Sequence, residues 1–200
     1  MSRAFLRILA QRRPASALTP DAPPREELEA VLRAAAGPAA ADPGLSWRVT
    51  VTTRRSAPEL AAAAAGMRRV PTMSTPFPRL KGKQLRRVAT FRGSLQWAST
   101  GGLGCALVFS PDDALGAPRK EQLAAAHGAR PLLEAAFWGA GWATAWAPRD
   151  GADEDALRAF YGLGSDEKVL GWLFVGRPPR GAAAAHAATL PAPGPRITYH

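Results

Sequence analysis

Cysteine is almost absent: Cys105 is the only one in 200 residues, which excludes an intrachain disulfide and a cysteine-based zinc site. Histidine is scarce and scattered, at His127, His186 and His200, so neither a metal site nor a histidine base is expected. No uninterrupted apolar run reaches the roughly 18 residues that a membrane helix requires. The first ten residues are interrupted by Arg3 and Arg7 and have no apolar centre or cleavage site of a signal peptide. Arg12-Arg13 is followed by Pro14-Ala15-Ser16, not by the apolar run of a twin-arginine export signal. A cytoplasmic protein without membrane association is the expectation. A glycine-rich strand-to-helix fingerprint is also missing, because Gly101-Gly102-Leu103-Gly104 precedes a strand instead of opening a helix; a Rossmann or P-loop site is not expected. There is no internal repeat.

What is present is an apolar, basic chain. Hydrophobic residues make up 46%, enough for a sizeable core in one domain spanning residues 1–200. The net charge of +10 suits polyanionic partners, whether phosphorylated cofactors, nucleic acid or an acidic surface, without choosing among them. Cys105 sits in the apolar run Gly104-Cys105-Ala106-Leu107-Val108-Phe109 and reads as a buried strand cysteine, not a reactive thiol.

The hydrophobic periodicity divides the chain into short elements. Residues 2–11 read as a first helix, with Phe5, Leu6, Ile8 and Leu9 on its apolar side, and residues 12–24 as a proline-rich connection. A helix is expected over residues 25–36, with Leu28, Val31, Leu32 and Ala35 at helical spacing, Glu26 and Glu27 in its first turn and Gly37-Pro38 as its stop. Trp47 to Thr53 alternates Trp, Val and Val against Arg and Thr, as a half-buried strand should. Residues 58–67 read as a short helix, 103–110 as a buried strand, and 118–140 as largely helical, with Pro131 kinking the helix or starting a new one. A short strand over 142–146, a helix over 153–161 ended by Gly162, and a strand over 168–175 complete the body. A Pro-, Ala- and Gly-rich tail, about 177–200, extends over a neighbour. Helices around short, separated strands argue for an α+β fold.

Residues 68–92 differ from the rest, holding Arg68, Arg69, Arg79, Lys81, Lys83, Arg86, Arg87 and Arg92 with no acidic residue. Three readings stay open: a lid whose arginines meet the phosphates of NADPH, a nucleic-acid contact, or a solvated basic loop. Aromatic interleaving is sparse (Phe77, Phe91, Trp97) and no nucleic-acid-binding module matches, so nucleic acid is not an expected partner.

Four pieces, in order, resemble the nitroreductase family, in particular its compact single-domain branch of NAD(P)H nitroreductases. They are Arg12-Arg13-Pro14-Ala15-Ser16 ahead of the 25–36 helix; Gly37-Pro38, a loop, and Ser46-Trp47-Arg48-Val49, similar to the family's Pro-Trp-Arg-Phe entry into a strand; Gly139-Ala140-Gly141-Trp142 through Trp146; and Leu157 to Gly162 with Lys168 to Pro178. The ending Pro195-Arg196-Ile197-Thr198-Tyr199 also looks like that branch. The resemblance implies an α+β sandwich with a central, mostly antiparallel sheet flanked by helices. It also implies an interlocked homodimer with FMN in each interface cleft, and NAD(P)H as co-substrate for reducing a small molecule.

By the same resemblance Arg12 and Arg13 match the paired basic residues at the FMN phosphate, where planar guanidinium groups suit paired phosphate oxygens. The family's next residue is usually serine; here it is Pro14, and Ser16 stands as the replacement hydroxyl. Trp146 matches the ring-side wall. Ala41 and Leu45 replace polar flavin contacts of the family, leaving Asp42 and Ser46 as candidates there, and Ala147 and Pro148 stand where polar residues are usual. No catalytic triad is expected, because hydride chemistry belongs to the flavin itself.

Overall fold

The computed structural model describes residues 6, 15, 17–37, 45–66, 102–149, 152–180 and 198. The expected first helix over 2–11 (apart from Leu6), the basic segment 68–92 and most of the tail lie outside the described residues.

Helix α1 is Arg25–Ala36. Leu28, Val31 and Ala35 form its buried stripe, and Gly37 ends it with a φ of 81° that a side chain would resist. Strand β1, Trp47–Thr53, runs through a short 3-10 turn into helix α2, Ala57–Ala64. Helix α2 stops sooner than residue 67, because Gly66 takes a φ of 64°. Strand β2 is Leu103–Phe109, buried at every position. Helix α3 is Arg119–Gly139, 21 residues without a break. Pro131 therefore does not start a new helix. It cannot donate to the carbonyl of His127, but both residues are exposed, so water can take the missing donor's place. Strand β3 is Ala143–Pro148, helix α4 is Glu154–Tyr161, and strand β4 is Lys168–Gly176. Asp153 caps α4 by accepting from the Ala156 N–H at 2.9 Å, and Gly162 ends it in the left-handed region.

All strand pairings are antiparallel, in the order β1-β2-β4-β3. The fold is thus α+β, with a four-stranded antiparallel sheet among the described residues. Register between β2 and β4 steps from Leu107 opposite Gly171 to Val108 opposite Val169, so Leu170 is an extra residue in a bulge. The bulge changes which side chains of β4 face each layer.

Helices cover both faces. On one, Leu28 and Val31 of α1 and Leu133 and Phe137 of α3 pack against Cys105, Leu107, Leu173 and Val175. On the other, Leu60 of α2 and Leu157 of α4 pack against Val108, Val169, Trp172 and Phe174. This double cover corrects the simple half-buried reading of β1. Trp47 and Val49 join the first core, yet Val51 is 41% exposed, whereas Thr52 is buried on the opposite face beside the Tyr161 hydroxyl.

Candidate functional site

Strand β3 forms one edge of the sheet and carries Trp146, the expected ring-side contact. The turn that delivers it is tight: Gly141 has a φ of 79°, and the Trp142 N–H donates to the Phe137 carbonyl at 2.9 Å. Trp142 precedes the strand and is buried in the core, its Nε1–H donating to Glu27 Oε1 of α1 at 2.8 Å. The Arg177 guanidinium lies 3.6 Å from the centre of the Trp142 ring and also donates to the Gly141 carbonyl. Glu27, Trp142 and Arg177 thereby tie α1, the α3–β3 turn and the end of β4 together. The sequence shows no sign of this arrangement, because its members are far apart in the chain.

Trp146 is half-buried against the same core. The edge of its six-membered ring rests on Gly171, where any Cβ would overlap Cη2 at 2.8 Å. The Arg130 guanidinium of α3 lies over the ring, 4.6 Å from its centre, and donates through Nε to Glu134 Oε1 at 2.8 Å. An indole under a guanidinium is a cation–π pair. Trp146 is thus a wall with a cation on it, not a bare ring face.

The outer edge of β3 is met by the chain that follows Pro14: the Ala15 N–H donates to the Thr144 carbonyl at 2.9 Å. Further along, the Thr19 N–H donates to the Arg177 carbonyl at 2.8 Å, and the Arg177 N–H donates to Thr19 Oγ1 at 3.2 Å. Ala15 and Thr19 are thereby tied to the ends of β3 and β4. Arg12, Arg13 and Ser16 themselves lie outside the described residues.

The loop ahead of β1 does not offer the hydroxyl that the sequence left available. Ser46 is buried, and its Oγ donates to the Gln122 carbonyl at 2.9 Å. Gln122, which sequence reasoning missed, is itself fully engaged: its amide donates to the Asp112 and Ala117 carbonyls and accepts from the Asp112 N–H. Leu45 is 43% exposed beside this clamp, on a shallow groove of about 320 Å³ with Trp47, Leu115 and Glu121. Asp42 lies outside the described residues. Of the two residues after Trp146, Ala147 is buried and Pro148 exposed.

Burial pushes the Cys105 thiol up to about 12, which makes it an inert core residue, as its apolar run suggested. Burial also raises Tyr161, against hydrogen bonds with Thr52 and Trp172, on the sheet face remote from α3. Glu167 is held down at about 2, chiefly by the Arg48 guanidinium. Among the described residues no helix is long and apolar enough to cross a membrane.

No protein-family model matches the chain, and no curated protein matches it in sequence. Solved structures do match over nearly the whole length. The FMN-dependent nitroreductase of Mycobacterium smegmatis, determined in complex with NADPH, superposes with a TM-score of 0.65 at 20% identity, covering 98% of this chain and 99% of that one. A nitroreductase-like family protein from Bacillus cereus gives 0.63 at 13% identity over 100% and 93%. The FMN and NADPH-dependent nitroreductase of a Sphigopyxis strain gives 0.59 at 20% identity over 99% and 96%. The resemblance read from the sequence thus holds for the architecture: this chain has the nitroreductase fold.

Proposed function

We propose that the protein is an FMN-dependent NAD(P)H oxidoreductase that passes hydride to a small, electron-poor organic substrate, working as a homodimer. The observation that carries this reading is the hydrogen bond from the Ala15 N–H to the Thr144 carbonyl at 2.9 Å. It ties the chain directly after Arg12-Arg13-Pro14 to the strand that bears Trp146, which supports a single cofactor site drawn from these two stretches. The likeness to the FMN-dependent nitroreductases of Mycobacterium smegmatis and the Sphigopyxis strain supports the same chemistry at the level of fold.

The residues present fit a phosphorylated, flat ligand at this edge. Arg12 and Arg13 would hold the phosphate by charge-assisted, paired hydrogen bonds, and Ser16 would add a hydroxyl. Trp146 would stand beside the ring, with Arg130 over it bringing positive charge to that wall. Hydride acceptance and donation are supplied by the flavin when bound. The protein's own part is to anchor, orient and leave one ring face open, which needs no proton-transfer triad.

The homodimer rests on α3. Its outward face, at Ala124, Ala125, Gly128, Pro131 and Leu132, is exposed throughout and carries no charge. A helix face that stays in water is normally polar, so this one suits a second copy of the chain, whose approach would close the cofactor cleft.

A second reading, a family member that keeps the fold as a binding or partner subunit without flavin chemistry, is favoured by the ring-side loop. There the Ser46 hydroxyl is committed to Gln122 and Leu45 presents only carbon. Titration of the purified protein with FMN separates the two. The enzyme reading expects quenching of tryptophan fluorescence, a raised melting temperature and NAD(P)H consumption, with Arg13→Ala weakening FMN by about tenfold or more. A colourless protein that shows no response to FMN overturns it.

A further inference from the structure

The Arg130 side chain of α3 is fixed on two sides and leaves part of its donor set unused. Its Nε–H donates to Glu134 Oε1 at 2.8 Å, and its guanidinium carbon lies 4.6 Å from the centre of the Trp146 ring. Nη1 and Nη2 meet no acceptor among the described residues. The Arg130 side chain is 40% accessible and that of Glu134 11%, so solvent and ligands reach the cation far more readily than its counter-ion.

The platform beneath the cation is fixed as well. Trp146 packs on the core under α1 and α3 and is seated on Gly171, where any Cβ would overlap its Cη2 at 2.8 Å. An i,i+4 ion pair on a helix face needs neither an indole beneath it nor a glycine beneath the indole. A guanidinium oriented through Nε presents its two Nη groups as a parallel pair of donors, the geometry that matches a carboxylate. The ordering of this long side chain is complete before a ligand arrives, which removes one of the usual costs of binding.

We propose that Arg130, on its Trp146 platform, is a receptor for the carboxylate of a planar aromatic ligand. Nη1 and Nη2 take the two carboxylate oxygens, while Glu134 holds Nε and sets the direction of the pair. The body of the ligand then lies against the half-buried indole, whose rings favour a flat apolar partner. On the functional reading above this ligand is the substrate, which narrows the class from electron-poor organic compounds to electron-poor aromatic acids. Calling it a substrate rests on that reading, whereas the anion site stands on Arg130, Glu134 and Trp146 alone.

The test titrates the full-length, FMN-loaded protein with benzoate and with benzamide, which has the same ring and no charge, and reads binding by calorimetry. Wild type should take benzoate more tightly than benzamide by about tenfold, from charge-assisted bonds to the carboxylate. In Arg130→Gln that ratio should fall to within about twofold of one while benzamide affinity stays as in wild type. Arg130→Lys keeps a charge beside Glu134 and loses the paired donors; it should lower the ratio by about threefold or more and decides the matter if Arg130→Gln fails to fold. Arg33→Gln removes an exposed arginine of α1 that is likewise paired with a carboxylate, Glu29, and should leave the ratio unchanged. A wild type without the preference, an Arg130→Gln protein of native circular dichroism with an undiminished ratio, or an equal fall in Arg33→Gln overturns the inference alone and leaves the flavin reading in place. A wild type that takes up no FMN, yet prefers benzoate through Arg130 when followed by tryptophan fluorescence, overturns the functional reading and keeps the anion site.

Discussion

Glu167 accepts from Arg48 Nε at 2.6 Å and from Nη2 at 2.8 Å, a paired geometry that joins β1 to the loop before β4. The Arg48 hydrogen bond, helped by the Gly164 N–H and the Ser110 hydroxyl against the opposing effect of burial, lowers the carboxyl from an ordinary 4.5 to about 2. A depressed carboxylate stabilises the fold above its unfolded pKa, and that contribution is lost as the pH falls through the folded one. Glu167→Gln should therefore cost about 1–2 kcal/mol near neutral pH, after allowance for solvent screening of Arg48. The gap to wild type should shrink below pH 4.5 and close near pH 2, as followed by urea unfolding at a series of pH values. An unchanged gap across that range would show that the ion pair contributes nothing to stability. At this scale the sequence was partly legible. Cys105 could be placed because its neighbours are all apolar, whereas the fate of Ser46 could not, since its partner Gln122 lies 76 residues away.

Helix ends were the most readable elements, because they are set by local chemistry. Gly37 and Gly162 both take positive φ just past α1 and α4, and Asp153 caps the start of α4. Strand β1 was read in its bounds but not in its burial: alternation identifies two faces and cannot say that both will be covered. Helix α3 shows the opposite limit, where tertiary packing of Ala129, Leu133 and Phe137 against the sheet carries the helix through a residue that locally opposes it. Pro131 leaves the His127 carbonyl without its helical donor and sits at an exposed position. Pro131→Ala should restore that bond and raise stability by about 1–3 kcal/mol, read as a shift in the urea midpoint at constant m-value. A loss of stability would mean that the proline ring is covered by something that the free chain does not supply.

Assembly is the scale on which the sequence was least explicit, since an apolar stripe that a partner would cover reads like an ordinary core stripe until its exposure is known. Helix α3 has two such stripes. One, with Ala126, Leu133 and Phe137, is buried in its own subunit; the other, centred on Gly128 and Leu132, is exposed, and Leu132 is 53% accessible. On a chain of net charge +10, an uncharged outward face lets self-association proceed with little repulsion while removing apolar surface from water. Leu132→Asp places a carboxylate at its middle without touching the subunit core. The expected outcome is a shift from dimer to monomer in light scattering after size-exclusion chromatography, with secondary structure intact. If the cofactor cleft is closed by the second subunit, FMN affinity should fall in the same variant and recover as protein concentration rises. Persistence of the dimer in Leu132→Asp would remove α3 from the interface, and a monomeric variant with undiminished FMN affinity would place the cofactor wholly within one chain.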